Sequence, residues 1–85
     1  MKAIVTVALE RHGEQHARRF LELVTKEPAV MQAYSVSGEI DVTLMVAMED
    51  FDAFCHRLFQ DGSNVARYYT KFVIRTAKEV TAIPL

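Results

Sequence analysis

The spacing of apolar residues changes period along this chain, and the order of the changes leaves few folds open. Residues 3–9 alternate, with Ala3, Val5, Val7 and Leu9 on one side and Ile4, Thr6 and Ala8 on the other, which predicts a first strand. Glu10-Arg11-His12-Gly13 breaks that pattern. From Glu14 onward Ala17, Phe20, Leu21 and Val24 recur at helical spacing, and Glu27-Pro28 ends the run because a residue before proline is pushed out of the α region. Residues 29–36 and 42–48 are two more strand-like runs, joined by Ser37-Gly38-Glu39-Ile40-Asp41, a short Gly-containing link that reads as a β-hairpin. In the second of these runs Val42, Leu44, Val46 and Met48 make a strongly apolar face, and Asp41, Thr43, Met45 and Ala47 a milder one, so both faces call for some cover. Glu49-Asp50 offers a cap and favourable charge for a second helix. Phe51, Phe54, Cys55, Leu58 and Phe59 follow at i, i+3, i+4, i+7 and i+8, with Gly62 as the expected stop. Residues 65–77 return to strand character, Lys78-Glu79 ends them, and residues 80–85 read as a short extra strand or a tail that packs on a neighbour.

Strand, helix, strand, strand, helix, strand is the order that two interleaved right-handed βαβ crossovers produce. The expected architecture is therefore α+β: a ferredoxin-like βαββαβ sandwich with a four-stranded antiparallel sheet and both helices on one face. Residues 1–85 read as one domain. A chain of this length buries only roughly 60–65% of the surface its unfolded form exposes. Yet 51% of the residues are apolar. The excess, with Ile4, Thr6, Met45 and Ala47 on the sheet face that the helices leave bare, predicts a sheet-to-sheet homodimer.

Charge and cysteine usage narrow the functional classes. Ten Lys and Arg are scattered among eleven Asp and Glu for a net charge of −1, so the sequence lacks the basic face that direct nucleic-acid binding needs, and an electrostatic route to membranes is absent for the same reason. No apolar run reaches the ~20 residues of a spanning helix, and the opening residues are too quickly charged for a signal peptide. Cys55 is the single cysteine, which excludes an internal disulfide and agrees with a reducing compartment. The expected location is cytoplasmic.

Few residue sets suggest chemistry. The hairpin is the best: a free amino acid presents an ammonium and a carboxylate on one carbon, and there Asp41 would accept from the first while Gly38 lets backbone N–H groups approach the second. The plainer alternative is that Gly38 supplies a positive φ for the turn and Asp41 caps its own backbone. His12 and His16 are four apart, as a metal pair on one helix would be, but Gly13 interrupts and no third ligand is near, so they read as a solvent-facing pair. Cys55 and His56 point about 100° apart on a helix and cannot form a nucleophile and base; Cys55 belongs to the core stripe. Tyr68-Tyr69-Thr70 reads either as hydroxyls lining a pocket or as rings packed with wet tips. Arg11, Arg18, Arg19 and Lys26 read as a solvated face, with Glu14–Arg18 and Glu22–Lys26 pairs at i, i+4. No paired carboxylates, phosphate loop, catalytic triad, metal set or cofactor motif can be picked out.

Taken in order, Pro28-Ala29-Val30, Ser37-Gly38-Glu39-Ile40-Asp41, Asp50-Phe51-Asp52-Ala53-Phe54, Gly62-Ser63-Asn64-Val65 and Arg67-Tyr68-Tyr69-Thr70-Lys71-Phe72-Val73 resemble the C-terminal effector domain of the Lrp/AsnC, or feast/famine, regulators. The resemblance runs from about Lys2 to Glu79. Its most specific parts are the Gly-x-x-Asp of the hairpin and the Val-x-Arg-x-x-Thr of the last strand. It implies a domain that dimerises through its sheets, often assembles into octameric rings of four dimers, and binds amino acids in clefts between dimers. Carried over, Gly38 and Asp41 become ligand residues, with Ser37, Glu39 and Ile40 as loop neighbours and Thr70 as a further pocket member. Full-length regulators carry a DNA-binding helix-turn-helix before this domain. Here the first strand begins at Lys2, so the expectation is an effector domain without one, able to join full-length relatives in mixed assemblies.

The leading expectation is thus an amino-acid-binding and oligomerisation module related to transcriptional regulators, and not an enzyme. A small dimeric isomerase or cofactor-free oxygenase of the same fold is the second class, using His12, His16, His56 or the tyrosines. A ligand-free assembly module is the third.

Overall fold

The structure, a computed structural model, describes residues 1–36, 41–60 and 64–79. Six elements follow in the expected order: β1 (Lys2–Leu9), α1 (Glu14–Thr25), β2 (Val30–Ser35), β3 (Val42–Ala47), α2 (Phe51–Leu58) and β4 (Val65–Phe72). The strands form one four-stranded sheet in the order β2-β3-β1-β4, and every neighbouring pair is antiparallel. This is the ferredoxin-like arrangement. Among the described residues no helix is long and apolar enough to cross a membrane.

The alternation in β1 decides which face the helices cover. Ala3, Val5, Val7 and Leu9 are at most 4% exposed and share one core with Val42, Leu44 and Val46 of β3, Phe20 and Val24 of α1, and Phe54 and Leu58 of α2. The opposite face carries rows set by register. Tyr34, Thr43, Thr6 and Tyr69 form one row across the four strands, and Gln32, Met45, Ile4 and Lys71 the next. Ile4, Thr6, Thr43, Met45 and Ala47 there are half-buried, shielded by one another, while Tyr34 and Tyr69 are exposed.

The helix ends follow local rules. Gly13 precedes α1 with φ 112, a conformation that favours glycine, and no side chain caps that helix. At α2 the Asp50 carboxylate accepts from Ala53 N–H at 3.0 Å, the expected N-cap. The aromatic stripe of α2 lies against β4: Phe51 meets Phe72 edge-on at 5.2 Å and Phe59 stacks on Tyr68 at 4.2 Å.

Several boundaries differ from the sequence reading. β2 and β3 are each trimmed at their ends, although Ala47 N–H still reaches Ala29 O and Val36 N–H reaches Asp41 O. Helix α2 stops at Leu58 with Phe59 as its cap; Gly62, the expected stop, lies outside the described residues. β4 ends at Phe72 rather than 77. Val73 N–H still bonds Lys2 O at 2.9 Å, while Ile74 is fully exposed.

The expected Glu14–Arg18 pair forms at 2.9 Å between exposed side chains and contributes little. A pair the sequence did not suggest is Arg57–Glu27, in which Arg57 Nε and Nη2 donate to the two carboxylate oxygens at 3.2 and 2.9 Å. It ties α2 to the turn after α1. The Arg57 hydrogen bond holds the Glu27 carboxyl below its ordinary pKa against the opposing effect of burial.

Two outcomes follow. Phe54 is fully buried, so Phe54→Ala should lower unfolding free energy by about 3–5 kcal/mol, a large part of a small domain's stability, read by urea denaturation. Because the folded value of Glu27 is lowered, its stabilisation is complete above the unfolded value of about 4.3 and is lost as pH falls through the folded one. Glu27→Gln should therefore flatten the acid limb of a stability-against-pH curve below about pH 5.

Candidate ligand site at the hairpin end of the sheet

Antiparallel pairing gathers three chain segments at one end of the sheet. The register puts Val42 opposite Val7 and, after a shift at Ala8/Leu9, Val65 opposite Leu9. The start of β3, the end of β1 and the start of β4 therefore converge there, together with the loop that leads into α1.

Asp41 is the most heavily tethered residue of this end. Its N–H donates to Val7 O at 3.1 Å, its carbonyl accepts from Val36 N–H at 3.0 Å, and carboxylate Oδ2 accepts from Leu9 N–H at 2.8 Å. On its β3 edge β1 has its last described pair at Val7 opposite Val42, so the Leu9 N–H lies beyond that ladder, and the carboxylate of the residue before β3 satisfies it. The other oxygen, Oδ1, faces His12 Nδ1 at 3.6 Å, with the imidazole 72% and the carboxylate 24% exposed. One oxygen of Asp41 thus serves the fold, and the other is turned outward beside an exposed imidazole.

Asn64 fixes the facing loop. Its Oδ1 accepts from Arg11 N–H at 2.7 Å, its Nδ2 donates to Arg11 O at 3.1 Å, and its own carbonyl accepts from Glu10 N–H at 2.9 Å. The side-chain amide stands in for a strand partner. Asn64 has φ 69, in the left-handed region that asparagine tolerates better than most residues.

The sequence-predicted residues fare differently. Asp41 is at the site, while Ser37, Gly38, Glu39 and Ile40 lie outside the described residues. Thr70 is elsewhere: it pairs with Val5, on the helix side of β4 and deeper in the sheet, and its Oγ1 is buried with no hydrogen-bond partner among the described residues. One subunit does not bring Asp41 and Thr70 together. His12 joins Asp41, whereas His16 lies on α1, and no group of three or more metal-ligating side chains occurs among the described residues. Cys55 is half-buried beside Tyr68, and burial pushes its thiol up, away from the thiolate a nucleophile needs. The sequence reading weighs His12 only as half of a metal pair or as a catalytic group of the second class, and gives Asn64 no site role. The only local sign was an Asn closing the turn-rich Asp61-Gly62-Ser63-Asn64.

Comparison with known proteins bears on this end of the sheet. A family model described as the Lrp/AsnC ligand binding domain matches residues 2–83. The HTH-type transcriptional regulator y4tD of Sinorhizobium fredii is 31% identical over 85 residues, covering 96% of this chain and 50% of its own length. The DNA-binding transcriptional activator DecR of Escherichia coli is 25% identical over 88 residues, covering 100% of this chain and 58% of its own. The chain spans about half the length of these curated relatives. Among solved structures, an AsnC family transcriptional regulator from Agrobacterium tumefaciens superposes with TM-score 0.85 at 27% identity, over 98% of this chain and 56% of that one. The transcriptional regulator NMB0573 of Neisseria meningitidis, in complex with L-Met, superposes with TM-score 0.77 at 26% identity, over 98% and 55%.

The double duty of Asp41 gives a test that needs no ligand. Asp41→Ala leaves Leu9 N–H without its acceptor and should cost about 1–3 kcal/mol in urea denaturation, whereas Asp41→Asn keeps an acceptor oxygen and should cost less than half as much.

Proposed function

Since the chain belongs to the Lrp/AsnC ligand-binding-domain family, we propose that it is an effector module that binds a free amino acid at the hairpin end of its sheet and uses that binding to control assembly. The observation that carries the reading is the outward oxygen of Asp41, a carboxylate fixed by its other oxygen to Leu9 N–H. An ammonium group needs such an acceptor, and one held by the backbone loses little freedom on binding. The remaining ligand contacts are assigned to the hairpin, Ser37, Gly38, Glu39 and Ile40, with Gly38 allowing backbone N–H groups to approach the carboxylate. The L-Met in the complex of the Neisseria regulator supports an amino acid as the ligand class. Thr70 faces the helices and is given no direct contact.

Assembly follows from the sheet. Its open face, with exposed Tyr34 and Tyr69 around half-buried Ile4, Thr6 and Met45, is the surface through which two copies pair. Ligand bound at the hairpin ends shifts dimers toward or away from larger rings, including octamers, to the extent that it binds the two states differently. With ten basic residues among eleven acidic ones, this stretch contributes effector sensing rather than contact with DNA, and full-length relatives are the partners it is suited to join. A soluble cytoplasmic setting suits that role. An enzymatic reading has less support, because among the described residues the site has one carboxylate and one exposed imidazole with no second acid or base held against them.

Isothermal calorimetry against each proteinogenic amino acid, with light scattering in parallel, tests the proposal. At least one amino acid should bind and change the particle size, and Asp41→Asn should weaken that binding by about tenfold or more while leaving the fold intact. Binding by none of them, or equal binding by the Asp41→Asn variant, would refute it; assembly that persists without any binding would favour the ligand-free module.

A further inference from the structure

A second hollow lies on the helix side of the same subunit. It is a cavity of about 600 Å³ between α1 and the residues Phe59, Gln60, Asn64 and Val65, within the range of about 300–1,000 Å³ that small-ligand pockets occupy. Neither Asp41 nor His12 lines it.

One wall comes from a stripe on α1 that borders the core stripe and shares Phe20 with it. His16, Arg19, Phe20 and Leu23 follow at i, i+3, i+4 and i+7 and all line the cavity. Phe20 reaches on into the core, but Leu23 is 43% exposed, an uncommon position for a large apolar residue on a helix so strongly amphipathic. Facing it across the hollow is Phe59, the residue that caps α2. The floor is therefore apolar and partly aromatic.

The rim is cationic. The Arg11 and Arg19 side chains border the cavity beside His16, and Glu10 supplies the one carboxylate of its lining among the described residues. Arg18 is engaged by Glu14 and Arg57 by Glu27, whereas Arg11 and Arg19, like Arg67 and Arg75 away from the cavity, make no ion pair among the described residues. The wall that carries Arg11 is braced, because the Asn64 side chain holds its backbone N–H and C=O at 2.7 and 3.1 Å. An apolar floor with guanidinium groups at the edge matches one kind of molecule: a small organic anion with a flat hydrocarbon body.

We infer that this cavity is a second binding site, distinct from the amino-acid site, for a small aryl or alkyl carboxylate that lacks an ammonium group. The carboxylate sits between Arg19 and Arg11, and the hydrocarbon body lies on Leu23, Phe20 and Phe59. An amino acid is disfavoured there, since its ammonium would meet the guanidinium groups with Glu10 as the one compensating carboxylate among the described lining residues. The inference stands independently of the hairpin proposal.

The test uses the 85-residue chain and 3-phenylpropanoate as probe, followed by backbone amide NMR shifts. Saturable shifts should appear at Phe20, Leu23, Phe59 and Asn64, and binding should weaken by about tenfold in Arg19→Gln and in the neutral 3-phenylpropanamide. Leu23→Asn, at an exposed position, should weaken it also, and Asp41→Asn should leave it unchanged. The inference is overturned by the absence of saturable shifts, by equal affinity for probe and amide, by tighter binding of L-phenylalanine than of the probe, or by shifts confined to residues 36–42. Loss of amino-acid binding in Asp41→Asn with retained probe binding would separate the two sites.

Discussion

Strand β1 is the constraint on which the other elements depend. It is hydrogen-bonded to β3 on one edge and β4 on the other, and its Ala3, Val5, Val7 and Leu9 side chains form the middle of the core beneath both helices. A central strand with small β-branched side chains on its covered face lets two helices approach closely, and Phe20, Val24, Phe54 and Leu58 fill the space that remains. Its partner β4 follows it from Val65 opposite Leu9 to Phe72 opposite Ala3, with Val73 N–H bonded to Lys2 O beyond.

The same topology puts polar chemistry at one end only. Where β1 ends, its β3 edge has its last described pair at Val7 opposite Val42, and the Leu9 N–H beyond it points toward the residue before β3. Asp41 supplies the acceptor from one side, while Asn64 pairs with Arg11 from the other. Both devices replace missing strand pairing with side-chain hydrogen bonds, and both fix loops without apolar cover. The opposite end has instead an exposed Lys2–Glu79 pair at 3.1 Å, which holds little in place.

Periodicity made the elements legible because each depends on neighbours in sequence. The alternation of residues 3–9 and the stripe from Phe51 to Phe59 located β1 and α2 to within a residue or two. Residues 73–77 misled for the converse reason: Val73 and Ile74 have strand propensity, but whether they pair depends on the length of a strand 70 residues earlier. The site was legible only in part. A Gly and an Asp at a hairpin suggested Asp41, but not that one of its oxygens would be taken by Leu9, a contact across 32 residues. The single-subunit separation of Asp41 from Thr70 likewise follows from the pairing of β1 with β4, which no local pattern records.

The division of labour within Asp41 bears on how binding reaches the rest of the molecule. A carboxylate that accepts from Leu9 N–H and, on the proposed reading, from a ligand ammonium becomes a bridge between effector and central strand. Charge drawn to Oδ1 by an ammonium reduces that available at Oδ2, while removal of water around the ligand strengthens both contacts. The net effect ties the hairpin, through Asp41, to the end of β1, the strand that pairs on both edges and anchors the core. An effector that only filled a surface cleft would have no such lever. One that completes the coordination of Asp41 acts on the hydrogen bond that sets the position of the hairpin, and the hairpin ends are the surfaces that meet between dimers on this reading.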